Sequence, residues 1–278
     1  MEIKEDFKKK QKEFAKLIMS NISDDRGQWT IKGFIDIYKN IYTLSSDTKI
    51  ISKILEIHLF HRILAFAESN NYNIVLAEHQ NYYPDITFVS RKNNKIKFAV
   101  DFKTTYRKPD NQKFCNGFTL GSHGEYFINR TSKKNIQFPY KEYKGHFCLG
   151  IIYDRTEDSS IDETKTYNLN QLQSIASVVR NFSVFIAEKW KIASDKGGSG
   201  NTANIGSINY IDDIINEKGM FSKLGEDWFD DYWMNYGKIT IKDKNGKLKK
   251  LTNLPDFIKY RKGDPSLIIA KRSSKDEN

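Results

Sequence analysis

Two short segments carry the residue types that phosphate chemistry needs. The first is Tyr83-Pro84-Asp85-Ile86-Thr87-Phe88; the second, after a polar turn, is Phe98-Ala99-Val100-Asp101-Phe102-Lys103. Read as adjacent strands, they bring two carboxylates and one lysine to one edge of a sheet. Such a carboxylate pair can hold a divalent metal, which polarises a phosphodiester and activates water. Phe98, Val100 and Phe102 alternate with Ala99, Asp101 and Lys103, the pattern of a half-buried strand, so Asp101 and Lys103 share a face. Asn93 and Asn94, inside RKNNK, supply the turn of a hairpin. Alone, Pro-Asp reads as a turn and Asp-x-Lys as a surface ion pair. On consecutive strands they point to a metal site.

The elements that must position these residues follow from hydrophobic periodicity. Residues 3–22 predict a helix with Ile3, Phe7, Phe14, Leu17 and Ile18 near one face. Ser46 to Ala67 predicts a long helix with Asp47 as N-cap and an apolar stripe of Ile50, Ile51, Ile54, Leu55, Leu59, Ile63 and Phe66. Glu56 interrupts that stripe, either as a helix-edge residue or as a carboxylate leaning over the metal. Further strands are expected at His146–Tyr153 and Ser183–Ile192, the latter with Val184, Ile186 and Trp190 alternating. Mixed helices and strands with an acidic sheet edge give an α/β or α+β class, with a central mixed sheet flanked by helices.

Composition sets the partners. The chain has 278 residues, enough for a sizeable core, and 45 Lys plus Arg against 35 Asp plus Glu give a formal charge of +10. Polyanions are therefore natural partners, although charge alone does not separate DNA, RNA and membrane surface. No apolar run reaches the roughly 18 residues that span a bilayer, and MEIKEDFKKK lacks the apolar core of a signal peptide, so a soluble, cytoplasmic protein is expected. Cys115 and Cys148 are too few for a disulfide scaffold or zinc ribbon, and the five histidines are scattered, which favours a hard, oxygen-liganded ion. One domain is expected over residues 1–260, followed by a basic, flexible tail over 261–278. Lys238, Lys242, Lys244, Lys247, Lys249 and Lys250 bracket Asn245-Gly246, a hairpin turn signal; such a run is a solvated face or a phosphate contact.

A second chemical clue is Gly197-Gly198-Ser199-Gly200-Asn201-Thr202-Ala203-Asn204. It matches a loose dinucleotide fingerprint, yet no buried strand is expected immediately before its first glycine, and no Gly-Lys-Ser/Thr makes it a P-loop. As a loop it suits major-groove readout: glycines allow close backbone approach, Asn bonds adenine N6 and N7, and the Thr methyl meets a thymine methyl.

Together with LSSDTK at 44–49, HQNYYPDITF at 79–88, DFKTTY at 101–106, KTYNLNQL at 165–172 and FDDYWMNY at 229–236, these segments resemble the PD-(D/E)xK nuclease superfamily and, within it, blunt-cutting type II restriction endonucleases, over roughly residues 40–237. The resemblance implies a restriction-endonuclease-like fold with its catalytic core at about 44–106 and its recognition loop at 197–204. Asp85 and Asp101 would be metal ligands, Glu56 an accessory helix carboxylate, and Lys103 the group that positions water and stabilises charge. Gly198, Ser199, Gly200, Asn201 and Thr202 would read bases, with Asn204 bracing their loop. Thr48, Lys49 and Thr105 would lie near the DNA backbone, and Gln80 and Asn81 on the minor-groove side. Two departures stand out: Ala203 replaces a second threonine, and GSHGEY at 121–126 is two residues longer than its counterpart.

The implied cofactor is Mg²⁺, with Mn²⁺ substituting and Ca²⁺ supporting binding without cleavage. The implied partners are double-stranded DNA and a second copy of the chain, since one site cuts one strand and a palindrome has two-fold symmetry. A family member cuts GATATC at its centre, which implies that site or a close variant here, and a companion methyltransferase in the same cell. Three other readings remain at this stage: a structure-specific repair or recombination nuclease, a catalytically silent DNA-binding protein, and a dinucleotide-dependent enzyme.

Overall fold

The computed structural model describes residues 2–79, 81–156, 161–199, 203–242 and 246–272. Helix α1 (Glu2–Ile22) buries Phe7, Gln11, Phe14, Ala15, Ile18 and Ile22, a stripe at helical spacing. Ile3 and Leu17, expected on that face, are exposed, Leu17 by 65%. Leu17 lies one residue, about 100° of helix rotation, before Ile18 and so falls on the flank. After strands β1 (Gly33–Ile35) and β2 (Ile41–Thr43), helix α2 (Thr48–Ser69) begins at the expected cap. Asp47 Oδ1 accepts from the backbone N–H of Lys49 at 2.8 Å and of Ile50 at 3.2 Å, satisfying two of the helix's orphan donors. The stripe of α2 is narrower than expected: Ile51, Leu55, Leu59, Ile63 and Phe66 are buried, while Ile50 is exposed.

Strands β3 (Tyr72–Leu76), β4 (Ile86–Ser90), β5 (Lys97–Lys108), β6 (Asn111–Cys115) and β7 (Thr119–Ser122) follow, then the short helix α3 (Glu125–Ile128). Next come β8 (Tyr143–Arg155), β9 (Thr166–Tyr167), β10 (Val179–Glu188), α4 (Lys189–Ile192), β11 (Ala193–Gly197) and β12 (Asn204–Ser207). The chain ends through α5 (Ile211–Ile215), α6 (Glu226–Asn235), the hairpin β13 (Thr240–Lys242) and β14 (Leu248–Lys250), and α7 (Leu254–Tyr260). The strand expected at Ser183–Ile192 stops at Glu188. Lys189–Ile192 coils into α4 and buries Ile192, so Trp190 does not continue the alternation.

The expected α/β class with a central mixed sheet is the class observed: the largest sheet runs β10-β8-β5-β4-β3, with β6 on β5. The chain forms two compact units. One comprises Met1–Asn71, Phe102–Cys115 and Leu149–Ile186; the other comprises Tyr72–Asp101, Asn116–Cys148 and Ala187–Asn278. In the first, α1 meets α2 through Phe14 and Phe66, whose ring centroids lie 4.7 Å apart, and a sheet of order β1-β2-β9 buries Ile41 and Tyr167. Gly150 lets the Phe185 ring lie directly on β8, where any Cβ would collide with it.

In the second unit, β4 and β5 form the expected hairpin, with Ile86 opposite Val100 and Phe88 opposite Phe98. Its turn closes through Ser90 N–H to Ile96 O at 3.0 Å and Ile96 N–H to Asn93 O at 2.9 Å. The strand expected to be half-buried is buried on both faces from Phe98 to Phe102, because β5 is interior to its sheet, with β4 and β8 on its two sides. Residues expected to form a flexible tail are partly docked: Arg272 Nε lies 3.2 Å from Asp213 Oδ2, and its guanidinium lies over the Tyr210 ring. The charge of Asp213 and the face of Tyr210 supply partners that the tail's polar composition conceals; residues 273–278 lie outside the described residues.

Candidate active site

Antiparallel register is what joins the two acidic segments. Ile86 pairs with Val100, so one step further along the ladder sets Asp85 opposite Asp101. Accordingly the backbone N–H of Asp85 donates to Asp101 Oδ1 at 3.3 Å. Asp101 is only 4% exposed, and Asp85 is half-buried. Lys103, also half-buried, follows two residues on in the same continuous strand, which places it on the same face as Asp101. The chemistry-bearing residues thus come from one hairpin and its extension.

A layer of aromatic side chains surrounds Tyr83, two residues before Asp85. Tyr83 forms a bridge with Ile136, and its ring stacks on Tyr126 with centroids 5.3 Å apart and planes at 6°. Its hydroxyl hydrogen-bonds His146 Nδ1 at 2.8 Å. Burial, reinforced by the nearby charge of Asp101, pushes the Tyr83 phenol well above its ordinary pKa, so it stays neutral. Buried Lys189 places Nζ 4.1 Å from the Tyr83 ring centroid, and Gly121 makes room for it, since a Cβ there would stand 2.9 Å from that nitrogen. Sequence reasoning missed Tyr83, His146 and Lys189 as support. Only Tyr83, adjacent to Pro84-Asp85, offered any signal.

Glu56 sits on α2 in an ion pair with Lys53 at 3.0 Å. Among the described residues, no group of three or more His, Cys, Asp or Glu side chains gathers as a metal-binding set. The two adjacent carboxylates still fit a hard cation: Mg²⁺ is held through one or two carboxylates, with water and substrate phosphate oxygens completing its shell. Both cysteines are buried free thiols, one at Cys115 and one at Cys148.

The glycine-rich segment connects β11 to β12, which pair antiparallel. A strand therefore does lead into the glycines, contrary to the sequence expectation, but a strand rather than a helix follows, and this hairpin rules out the dinucleotide fingerprint. Gly198 N–H donates to Asn204 O at 2.8 Å, and Asn204 Nδ2 donates to Ser199 O at 2.7 Å, closing the base of the loop. The long GSHGEY segment meets the same loop: His123 N–H donates to Ala203 O at 2.8 Å, with the His123 ring against Trp233 and Tyr236. The two departures from the family pattern thus touch each other. Gly200, Asn201, Thr202 and Gln80 lie outside the described residues. Asn81 and Lys49 are exposed and Thr48 is half-buried in the first turn of α2, whereas Thr105, expected near a DNA backbone, is only 3% exposed.

The family model for restriction endonuclease EcoRV matches residues 25–262, further in both directions than the 40–237 stretch legible in the motifs. The type II restriction enzyme EcoRV of Escherichia coli is 37% identical over 247 residues, covering 88% of this chain and 96% of that protein. The structure of NlaIV restriction endonuclease gives a TM-score of 0.39 at 13% identity, covering 71% of this chain and 66% of its own. With the family model spanning most of the chain and the Escherichia coli enzyme matched along nearly its whole length, this protein belongs to the EcoRV restriction endonuclease family and is a site-specific deoxyribonuclease.

Proposed function

We propose that this enzyme hydrolyses double-stranded DNA at the palindrome GATATC, or a close variant, with a blunt central cut that leaves 5′-phosphate and 3′-hydroxyl ends. The observation that carries the chemistry is the Asp85–Asp101 juxtaposition, with Lys103 two residues along the same strand. Asp85 and Asp101 would hold Mg²⁺, with Glu56 as accessory carboxylate after leaving Lys53; the ion would oppose charge building on the phosphate. Lys103 orients the attacking water and donates to the developing oxyanion, an interaction stronger in the transition state than in the ground state. Mn²⁺ substitutes, and Ca²⁺ supports binding alone. The near-retained loop supports the choice of site: Gly198, Ser199, Gly200, Asn201 and Thr202 read bases, and Asn204 fixes their base. Thr48, Lys49, Gln80, Asn81 and Thr105 belong to backbone and minor-groove contact, Thr105 through its main chain or after a local shift.

A two-fold homodimer reads both half-sites. Exposed Phe34, Ile35, Ile37 and Tyr38, on β1 and the turn after it, form an apolar surface of the kind that a second copy covers. No described helix is long and apolar enough to cross a membrane. A cytoplasmic location and a companion methyltransferase that protects host DNA complete the proposal. The test is digestion of a sequenced plasmid in Mg²⁺, with an EDTA control, followed by sequencing of fragment ends. Blunt ends confined to GATATC are expected; ends enriched at another sequence would refute the site, and nicking without preference would favour a repair-type nuclease.

A further inference from the structure

A polar cavity of about 240 Å³ in the first unit has no part in the site above. It is walled by three guanidinium groups, those of Arg107, Arg155 and Arg180, with Tyr106 and Gln112, and by the single carboxylate of Asp154. That carboxylate is already engaged: Arg107 Nη1 approaches Asp154 Oδ1 at 3.1 Å, and Asn181 Nδ2 donates to Asp154 Oδ2 at 2.7 Å. Arg107 is further tied to Asn181 O and, at 2.6 Å, to Ser183 Oγ, so it is a fixed wall. Three positive charges against one negative leave the cavity electropositive.

Arg155 carries the second observation. Its guanidinium lies 3.9 Å from the Tyr106 ring centroid, while its Nε is buried with no hydrogen-bond partner. A buried charged donor left unmatched is costly, and an oxyanion is the acceptor that fits it. Arg180, exposed, lines the same cavity. The volume is below the range of about 300–1,000 Å³ typical of whole cofactors and suits one compact charged group.

We propose that this cavity binds a phosphate-type oxyanion through Arg155 and Arg180. In a DNA-cutting enzyme the anion is a backbone phosphate of the duplex, an assignment that rests on the nuclease reading; free inorganic phosphate shares the chemistry. The test compares full-length wild type with Arg155→Gln and Arg180→Gln. Duplex affinity is measured by fluorescence anisotropy in Ca²⁺ over roughly 50 to 200 mM salt, where each lost phosphate contact reduces the log–log slope by about 0.9. Melting is measured against inorganic phosphate in parallel. A slope reduced by about that amount, on GATATC and unrelated duplexes alike, with unchanged melting in phosphate-free buffer, is the expected result. An unchanged slope combined with loss of phosphate-dependent stabilisation would overturn the DNA assignment and leave a free-anion site. If neither readout moves while the wild type binds and cuts DNA, the cavity is no oxyanion site. A wild type that neither binds nor cuts any duplex would count against the nuclease reading instead, with the phosphate arm still deciding the cavity.

Discussion

Asp101→Asn separates the chemistry of the acidic pair from its architecture. The substitution keeps the shape of a side chain that is 4% exposed, and an amide oxygen can still accept the Asp85 N–H now 3.3 Å from Oδ1. Exchanging a charge-assisted for a neutral hydrogen bond costs about 1 kcal/mol. Removing one of two neighbouring negative charges relieves repulsion between them, which opposes that loss. The two effects largely offset, so the melting temperature should move by no more than about 4 °C. Turnover should fall by at least about 1,000-fold, equivalent to about 4 kcal/mol of lost transition-state stabilisation, because the substitution removes a hard ligand and a reacting-site charge together. Single-turnover cleavage of a GATATC duplex in Mg²⁺ measures the loss, and gel shift in Ca²⁺ checks that specific binding persists. Activity within tenfold of wild type, with binding and melting intact, would remove Asp101 from the metal site.

Asn201→Ala should lose about 1–3 kcal/mol of discrimination at one base pair, read from cleavage of singly substituted sites; equal weakening on all sequences would make it a scaffold or phosphate contact. Asn204→Ala deletes the 2.7 Å bond to Ser199 O and should cost about 0.5–1.5 kcal/mol in kcat/KM at the cognate duplex, leaving non-specific binding unchanged. Ile37, 88% exposed, should tolerate Asp in the monomer but not in a dimer interface, so Ile37→Asp should shift sedimentation toward monomer and cut duplex cleavage; an unaltered dimer would place the interface elsewhere. Burial, followed by the charges of His61 and Arg62, pulls the His58 imidazole below its ordinary value of 6.5. In acid the unfolded chain therefore binds a proton that the folded chain does not, and stability falls as pH drops below that value. The urea midpoint should decline on acidification, and less steeply in His58→Gln; identical declines would assign the effect to other groups.

The hairpin of Asp85, Asp101 and Lys103 was legible because its signals are local: a turn at Asn93 and Asn94, alternation along one strand, and lysine two residues after aspartate. The Asp47 cap was legible for the same reason, since a cap is a bond between residues two or three apart. The end of β10 at Glu188 was not. Lys189 continues a strand-like pattern yet starts a turn of helix, and it is buried beside Tyr83, a residue more than a hundred positions earlier. No local propensity reports such a contact. The strand before the glycine loop was missed because Ser194, Asp195 and Lys196 look like a polar linker. In the structure Ser194 and Asp195 are buried; Asp195 accepts the Leu254 N–H at 3.0 Å and its carbonyl accepts the Tyr232 hydroxyl at 2.7 Å. Polar residues read as surface until their distant partners are known.

The sequence by itself determined which residue types are available for phosphodiester hydrolysis, their spacing on one hairpin, the basic charge that suits DNA, and the family. These depend on short-range order along the chain, which spacing and turn chemistry encode directly. Tertiary structure alone decided that Asp101, on a strand flanked by β4 and β8, is buried, that Tyr83 meets His146 and Lys189, and that His123 is hydrogen-bonded to Ala203 at the glycine-rich loop. It also decided that Arg107, Arg155 and Arg180 converge on one cavity. Each of those facts joins residues far apart in the chain, and pairings of that kind are selected by packing and polar satisfaction in the folded protein, not by local preference.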